Sequence, residues 1–362
     1  MTEITIRPQR PDDYEEILKL TYNAFLTLDY PGRRRMDEHF LMELLQGSPF
    51  VIPSFCFVAE LSGKIVGHIL YTTSEIATTD GVKIDTVTFG PLSVAPANHR
   101  QGIGAALVAH SMDAARALGY GAVVITGVPD YYPKLGFRRG REYGLVLEDG
   151  SAPDAFMVYE LLPGTLCGGT AYFHPPEFEQ CETDDAGYEA FHKDFMAAHF
   201  PEQITLRPLW DADVTLMERW LYLPHVAKWY EHPSDWLNEI NSRRDNFRFL
   251  FHFIAEYEGT PIGFGQYYDC FFAKEHETWD EQWPVGDKPG EIFSIDYLIG
   301  EPEYLQKGYG KEIVRLLTEK VRTAGGAQII VEPHKENAAS IRALEANGFR
   351  YADDNSALAK HL

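Results

Sequence analysis

Two short stretches, "HRQGIGAAL" at 99–107 and "LQKGYGKEI" at 305–313, set a Gly-x-Gly step between a basic residue and an apolar run with helical spacing. A helix leaves its first N–H groups without intrahelical acceptors, and its dipole makes that end positive. With glycine on the approach, no Cβ holds a ligand off the backbone, so the pattern suits a phosphate or pyrophosphate. Arg100 and Lys307 can add positive charge from the rim. Spacing argues against two alternatives. A P-loop needs GxxxxGK[ST], which neither stretch has, and the dinucleotide pattern GxGxxG fails at Leu107 and Ile313. A second chemistry is offered by Asp296, a carboxylate in the middle of the apolar run "IFSIDYLIG". Aspartate is disfavoured in strands and costly to bury, so at such a place it either bonds a neighbouring strand or works as an acid or base.

The elements that must position these residues repeat along the chain. "ITIRPQRPDD" at 4–13 resembles "ITLRPLWDAD" at 204–213, and "FVAELSGKIVG" at 57–67 matches "FIAEYEGTPIG" at 253–263. Residues 99–125 align without a gap on 305–331, and each copy later carries Gly-Phe-Arg, at 136–138 and 348–350. Anchors kept in one order mean a duplicated domain, each copy about 160 residues long, and not a solenoid of small repeats. A chain of 362 residues also exceeds the size at which a single core keeps growing.

Within each copy an opening strand (4–7; 204–207) leads to a helix starting near Asp12 or Asp211. Alternating hairpin strands follow around Ser-Gly-Lys or Glu-Gly-Thr turns. Next come a longer strand, the glycine loop, an amphipathic helix (104–118; 310–324) and a buried strand, "AVVITGV" or "QIIVEP". The fold class this predicts is α+β: two domains, 1–162 and 203–362, each a mixed, mostly antiparallel sheet flanked by helices. Residues 163–202 should hold one extra strand and an acidic linker helix.

Composition limits the partners. A net charge of −22, shared almost evenly between residues 1–200 and 201–362, repels a phosphate backbone and attracts small cations, so no nucleic-acid partner is expected. The N-terminal stretch has no apolar signal core and no run of eighteen apolar residues occurs, which predicts neither secretion nor membrane association. Four cysteines without CxxC spacing predict reduced thiols and a cytoplasmic protein, and thirteen histidines without HExxH predict no metal site.

The stretch "LSVAPANHRQGIGAALVAHSMDAARALGYGAVVI…YYPKLGF" resembles the GCN5-related N-acetyltransferases (GNAT), whose loop pattern is (Q/R)xxGx(G/A). The resemblance implies acetyl-CoA as co-substrate, with its pyrophosphate on the loop N–H groups and its pantetheine arm along a splayed strand. Carried onto this chain, Leu92 and Val94 would line the arm, and Arg100, Gln101, Gly102, Ile103, Gly104 and Ala105 would hold the phosphates. His99 departs from the usual Gln or Arg. The second copy is similar to aminoglycoside 6'-N-acetyltransferases through "LPHVAKWYE" at 223–231, "SIDYLIGEPEYLQKGYGKEIVRLL" at 294–317 and "ENAASIRALEANGF" at 336–349. There Leu298, Gly300, Gln306, Lys307, Gly308, Tyr309 and Gly310 would meet acetyl-CoA, with Asn337 as a further contact and Leu305 a departure.

Acetyl transfer to an amine needs a fixed thioester beside a neutral amine, a donor for the developing oxyanion, and a carboxylate to take the ammonium proton. The resemblance assigns that base to Asp296, and the acid for the leaving thiolate to Tyr132 of "YYPKLGF". Leu344 takes the tyrosine's place in the second copy, while the first offers Glu75, Asp85 and Asp130 as bases without choosing among them. Trp229, Tyr230, Trp236, Trp279 and Trp283, with Glu231, Asp280, Glu281 and Asp287, read as a site for a polycationic or sugar-like amine or as an aromatic core with a solvated acidic loop. Trp229, Tyr230 and Glu231 are the substrate candidates. The expectation is an N-acetyltransferase acting on a primary amine of a small aminoglycoside- or polyamine-like molecule. The alternative is that one copy is only an acetyl-CoA-binding regulatory or structural module. Oligomeric state is open, and the duplication can stand in for a dimer.

Overall fold

The structure is a computed structural model that describes residues 4–26, 28, 33–274, 286–352 and 357–362. Its contacts divide the chain into two units, Met1–Leu26 with Met36–Tyr188, and Thr27–Arg35 with Glu189–Leu362.

In the first unit the strands are β1 (Thr5–Pro8), β2 (Phe57–Leu61), β3 (Lys64–Thr78), β4 (Lys83–Val94), β5 (Ala122–Thr126), β6 (Arg138–Arg139), β7 (Leu145–Leu147), β8 (Phe156–Glu160) and β9 (Gly169–Phe173). Among the described residues they form one sheet in the order β1-β2-β3-β4-β5-β8-β6. Past the end of β2, the same edge of β3 is taken by β9, which also pairs with β7. Helices α1 (Tyr14–Phe25), α2 (Glu38–Leu45), α3 (Ile103–Ala117), α4 (Glu177–Thr183) and the first turn of α5 (Asp185–His199) complete the unit. Where one linker helix was expected there are two. Asp184 breaks them, its Oδ1 accepting the Gly187 N–H at 2.8 Å.

The second unit repeats the plan with β10 (Ile204–Pro208), β11 (Leu250–Tyr257), β12 (Thr260–Asp269), β13 (Ile292–Ile299), β14 (Gln328–Val331), β15 (Arg350–Tyr351) and β16 (Leu358–His361). Their order is β10-β11-β12-β13-β14-β16-β15. Its helices are the rest of α5, then α6 (Val214–Leu221), α7 (Pro224–Ala227), α8 (Pro233–Asn241), α9 (Cys270–Ala273), α10 (Tyr309–Thr323) and α11 (Ala338–Ala346). Each unit is therefore α+β, a mixed sheet between helices, as the sequence predicts.

The hairpins β2–β3 and β11–β12 close through Ser62-Gly63 and Glu258-Gly259, all four residues at positive φ, which matches the strand twist in a two-residue turn. In each sheet a glycine lets the long helix lie close. A Cβ on Gly67 would come within 2.9 Å of Ile103 on α3, and one on Gly265 within 3.0 Å of Leu317 on α10. The two principal cores lie on those helix faces: Ile69, Tyr71, Val87, Phe89, Leu107 and Val108 in one unit, and Ile295, Ile313, Val314 and Leu317 in the other.

Candidate active site

Each glycine loop follows a strand whose far half has lost its parallel neighbour. β4 runs parallel to β5 only at Thr86↔Ala122 and Val87↔Val123, and β13 to β14 only at Ile292↔Gln328 and Phe293↔Ile329. Beyond those pairs that edge has no strand partner among the described residues, so the strands part and a groove opens toward the loop. A short 3-10 turn follows in both units (Pro96–Asn98; Pro302–Tyr304). The loops then take matching backbones: Arg100 and Gln306 at φ 61° and 60°, Gly102 and Gly308 at 84° and 87°.

The N–H groups of Gly102, Ile103, Gly104 and Ala105, and of Gly308, Tyr309 and Gly310, donate to no acceptor among the described residues. A Cβ at Gly102 or Gly308 would meet nothing within 4 Å. Free donors, an unobstructed approach and a positive helix end make each loop able to hold a pyrophosphate. His99 and Gln101 instead tie the loop down, through the carbonyls of Val94 (2.9 Å) and Ala97 (3.2 Å). Arg100 and Lys307 are exposed, with the Lys307 ammonium over the Tyr304 ring at 5.3 Å.

Leu92 and Val94 reach Gly104, at 3.9 and 3.6 Å from the place of its Cβ. Leu298 does not match them, although the gapless alignment sets it on Leu92. It is buried in the cluster under α6 and α8, and Tyr297 is the side chain beside Gly310. The cause is a register irregularity. Between Leu92 and Phe89 on β4 there are three steps against two on β3, so the strand changes face, while β12–β13 pairs evenly throughout. Gly300 serves packing, since a Cβ there would lie 2.2 Å from the Trp220 ring. Asn337 caps α11, accepting from the Ser340 N–H at 3.1 Å, and the Tyr297 hydroxyl donates to Ser340 Oγ at 3.0 Å.

The second unit gathers carboxylates at its groove. Asp296 lies directly across from Gln266 on β12, whose Nε2 donates to Asp296 Oδ2 at 2.9 Å. Burial raises the Asp296 carboxyl above its ordinary range, and the Gln266 bond opposes that rise. Glu239, on α8, is pushed up to about 7 by burial and then by the charges of Asp296 and Asp235. Burial and Asp296 likewise raise the hydroxyls of Tyr230 and Tyr268, and Tyr230 donates to the Tyr297 carbonyl at 2.6 Å. Like-charged carboxylates in a shielded place hold a proton between them at neutral pH and attract a cation.

Of the substrate candidates, Tyr230 belongs to this group. Trp229 is half-buried, with Lys228 Nζ over its ring at 4.2 Å from the centroid, and Glu231 is exposed. Trp236 packs edge-on against Tyr230 at 4.9 Å, while Trp279, Asp280, Glu281 and Trp283 lie outside the described residues. Glu239, Tyr268 and Gln266 were missed by sequence reasoning.

The first unit differs at the same place. The alignment that sets Gly308 on Gly102 sets Asp296 on Gly90, and the strand pairings keep the same offset. Glu75 pairs with Lys83 at 2.9 Å and stands opposite Asp85, nine residues before Val94 on β4, about 30 Å away in extended chain. Asp130 is exposed. Tyr132 packs on Phe89 and Phe137 with ring centroids 5.7 and 5.6 Å apart, and burial raises its hydroxyl, which bonds nothing among the described residues. Its neighbour Tyr131 lies closer to the loop, its hydroxyl 3.0 Å from the place of a Cβ on Gly104.

The splayed strand and the loop of free amides at a helix start, repeated in both units, define a duplicated α+β fold with one such loop in each copy. Two family profiles, each described as "Acetyltransferase (GNAT) domain", match residues 53–139 and 210–355, so the chain belongs to the GNAT family through both units and is an acetyl-CoA-dependent N-acetyltransferase. It is similar to the aminoglycoside N(6')-acetyltransferase type 1 of Klebsiella pneumoniae, 25% identical over 159 residues that make up 41% of this chain and 74% of that protein. It is also similar to the uncharacterized N-acetyltransferase YhbS of Escherichia coli (strain K12), 28% identical over 108 residues, 30% of this chain and 63% of that one. The crystal structure of the Escherichia coli YhbS protein with CoA aligns with 49% of this chain and 93% of its own at a TM-score of 0.42 and 23% identity. No helix of the described residues is long and apolar enough to cross a membrane. No cluster of three or more His, Cys, Asp or Glu residues that could hold a metal occurs among them.

Proposed function

We propose that the second unit transfers acetyl from acetyl-CoA to a primary amine of a small polycationic molecule, of the aminoglycoside or polyamine kind, and that Asp296 is its general base. The observation that carries this reading is the Asp296–Gln266 pair beside Glu239, at the mouth of the groove that ends in the Gly308 loop. Bound there, acetyl-CoA supplies the activated acyl group. The N–H groups of Gly308, Tyr309 and Gly310 hold its pyrophosphate, with Gln306 and Lys307 at the rim; Gly102, Ile103, Gly104 and Ala105 do the same in the first unit, beside Arg100 and Gln101.

Asp296, whose ionised form is favoured by the Gln266 hydrogen bond against the opposing effect of burial, takes the proton from the acceptor ammonium, and the carboxylate pair orients the cation. The name of the Klebsiella pneumoniae relative supports an aminoglycoside-like acceptor. Four free cysteines suit a reducing cytoplasm. Glycine at position 90 favours a division of labour, in which the first unit binds acetyl-CoA and the second performs the transfer.

The experiment is steady-state thiol release with a panel of amines, alongside calorimetry with CoA. Asp296→Asn should lower kcat about a hundredfold or more while leaving CoA affinity unchanged, the range expected for loss of a general base. An Asp296→Asn protein as fast as the wild type on every accepted amine would remove the base assignment.

A further inference from the structure

In the first unit the chain covers its own acceptor side. β9 pairs with β3 at Ser74↔Phe173, and His174 Nδ1 meets Thr73 Oγ1 at 3.0 Å, which fixes where the next residues leave the sheet. Pro175 and Pro176 then turn the chain into α4. Phe178 on that helix packs edge-on against Phe173, with centroids 6.5 Å apart at 87°, and Cys181 Sγ donates to the Phe178 carbonyl at 3.2 Å. Past α4, Tyr188 sets its ring edge-on to His39 and Phe40 of α2, at 5.7 and 6.0 Å. The segment is therefore tied at both ends.

What the segment covers is the position equivalent to Asp296. A Cβ on Gly90 would have the Phe178 ring, at 4.0 Å, as its nearest neighbour. In the second unit that position carries a carboxylate in an acid-lined groove. Residues 174–188 contain no lysine, so this occupant presents no amine for acetyl transfer. Its seating also carries a cost, because Glu177 Oε2 is buried without a hydrogen-bond partner.

We propose that the segment from Phe173 to Tyr188 is a built-in occupant of the first unit's acceptor site, with Phe178 standing where an acceptor amine and its base would be, so that this unit holds acetyl-CoA without passing the acetyl group on. The proposal rests on the reading that both loops bind acetyl-CoA, and the test separates the two.

The probe is N-ethylmaleimide on a Gly90→Cys protein in which the exposed Cys167 is changed to Ser, with labelled peptides identified by mass. Gly90 is not at positive φ and faces Phe178 at ordinary contact distance, so cysteine is accommodated. The residue-90 thiol should react at least about tenfold more slowly than Cys167 does in the parent chain, and adding Phe178→Ala should raise its rate about tenfold by releasing the helix. A thiol at 90 that reacts as fast as Cys167 with Phe178 in place would overturn the proposal. Should Gly90→Cys disturb folding, the native Cys181 serves instead. It is buried on α4, and its alkylation should accelerate in Phe178→Ala, whereas equal rates in the two proteins would overturn the seating of α4 by Phe178. CoA calorimetry on the same proteins reads the other question: two sites with α4 in place keep the twin-loop reading, and loss of CoA binding at the first loop ends that reading whatever the labelling shows.

Discussion

The two units share one glycine-loop backbone and differ along the strand that leads to it. Arg100 and Gln306, Gly102 and Gly308 agree within a few degrees in φ, while position 90 is a glycine under Phe178 and position 296 an aspartate beside Gln266. The loop backbone is the same in both copies; the side chain at the position of Asp296 is not. A loop made of amides tolerates drift in side chains, as His99 and Leu305 illustrate, whereas a general base is lost by one substitution. The same contrast runs through the buried ion pairs. Arg7 joins Asp13 and Glu60 at 2.6 Å each in the first unit, and Arg207 joins Asp213 and Glu256 at 2.6 Å each in the second. Only the second cluster is fully enclosed, with Glu256 1% exposed against 28% for Glu60, and only there does a histidine, His192, add to the carboxylate at 3.1 Å.

Breaking that pair of clusters should give the largest effect on stability. Burial pushes the Glu256 carboxyl up, but the charges of Arg207 and His192 outweigh it and hold the group at about 2. Removing one member of an enclosed ion cluster leaves the others uncompensated, so Glu256→Gln should cost about 3 kcal/mol, against about 1 kcal/mol or less for the wetter Glu60→Gln. The sign with pH follows from the depressed value. The stabilisation is complete above the ordinary glutamate range near ~4.3 and is lost as pH falls toward 2. All six tryptophans lie beyond residue 209, so urea unfolding followed by tryptophan fluorescence reports the second unit. The Glu256→Gln midpoint should fall at pH 7, and the difference from wild type should shrink on acidification below pH 4. A pH-independent difference would mean that packing, not charge, is what the substitution removes.

The shared half of the comparison is sharpened at the loops. Valine at Gly102 or Gly308 meets no steric obstacle, but it must adopt φ near +85°, which costs an L-residue about 1–2 kcal/mol and moves the amides off their ligand. Each substitution alone should weaken CoA at its own site about tenfold, and calorimetry of the wild-type chain should show two sites. If Gly102→Val leaves the isotherm untouched, the first loop is a structural turn.

The loops were legible in the sequence because positive φ leaves few residue choices, and because an anion site at a helix start needs only local chain. The mixed, mostly antiparallel character of each sheet followed from hairpin and strand patterns for a similar reason. Three features were not legible. Glu239 sits on a polar helix 57 residues before Asp296, and a glutamate on α8 carries no mark of the burial that only the folded chain imposes. The change of face in β4 depends on one extra residue between Phe89 and Leu92, which flips every later side chain and cannot be seen in a gapless alignment. The helix over Gly90 lies in a stretch whose acidic composition reads as linker. One signal was available: extending the 99–125 alignment upstream by nine residues puts Gly90 on Asp296, so the first copy lacks that carboxylate.

The smallest effect concerns how the acid-lined groove of the second unit divides its labour, a question the first unit cannot pose because it has no such pair. Burial, Asp296 and Asp235 raise Glu239 to about 7, so near neutrality the pair holds part of a proton. The base must be ionised to accept from the ammonium, and therefore kcat/KM should rise with pH through the titration of the pair. Replacing Glu239 by Gln removes a negative neighbour, lets Asp296 ionise at lower pH, and should shift the acid limb downward, so that the ratio of rates at pH 6 and pH 8 increases about threefold. If Glu239 were itself the base, the same substitution would abolish turnover at every pH and Asp296→Asn would merely displace the limb. The pH profiles of the two variants, measured on one amine, thus assign the proton to one carboxylate or the other.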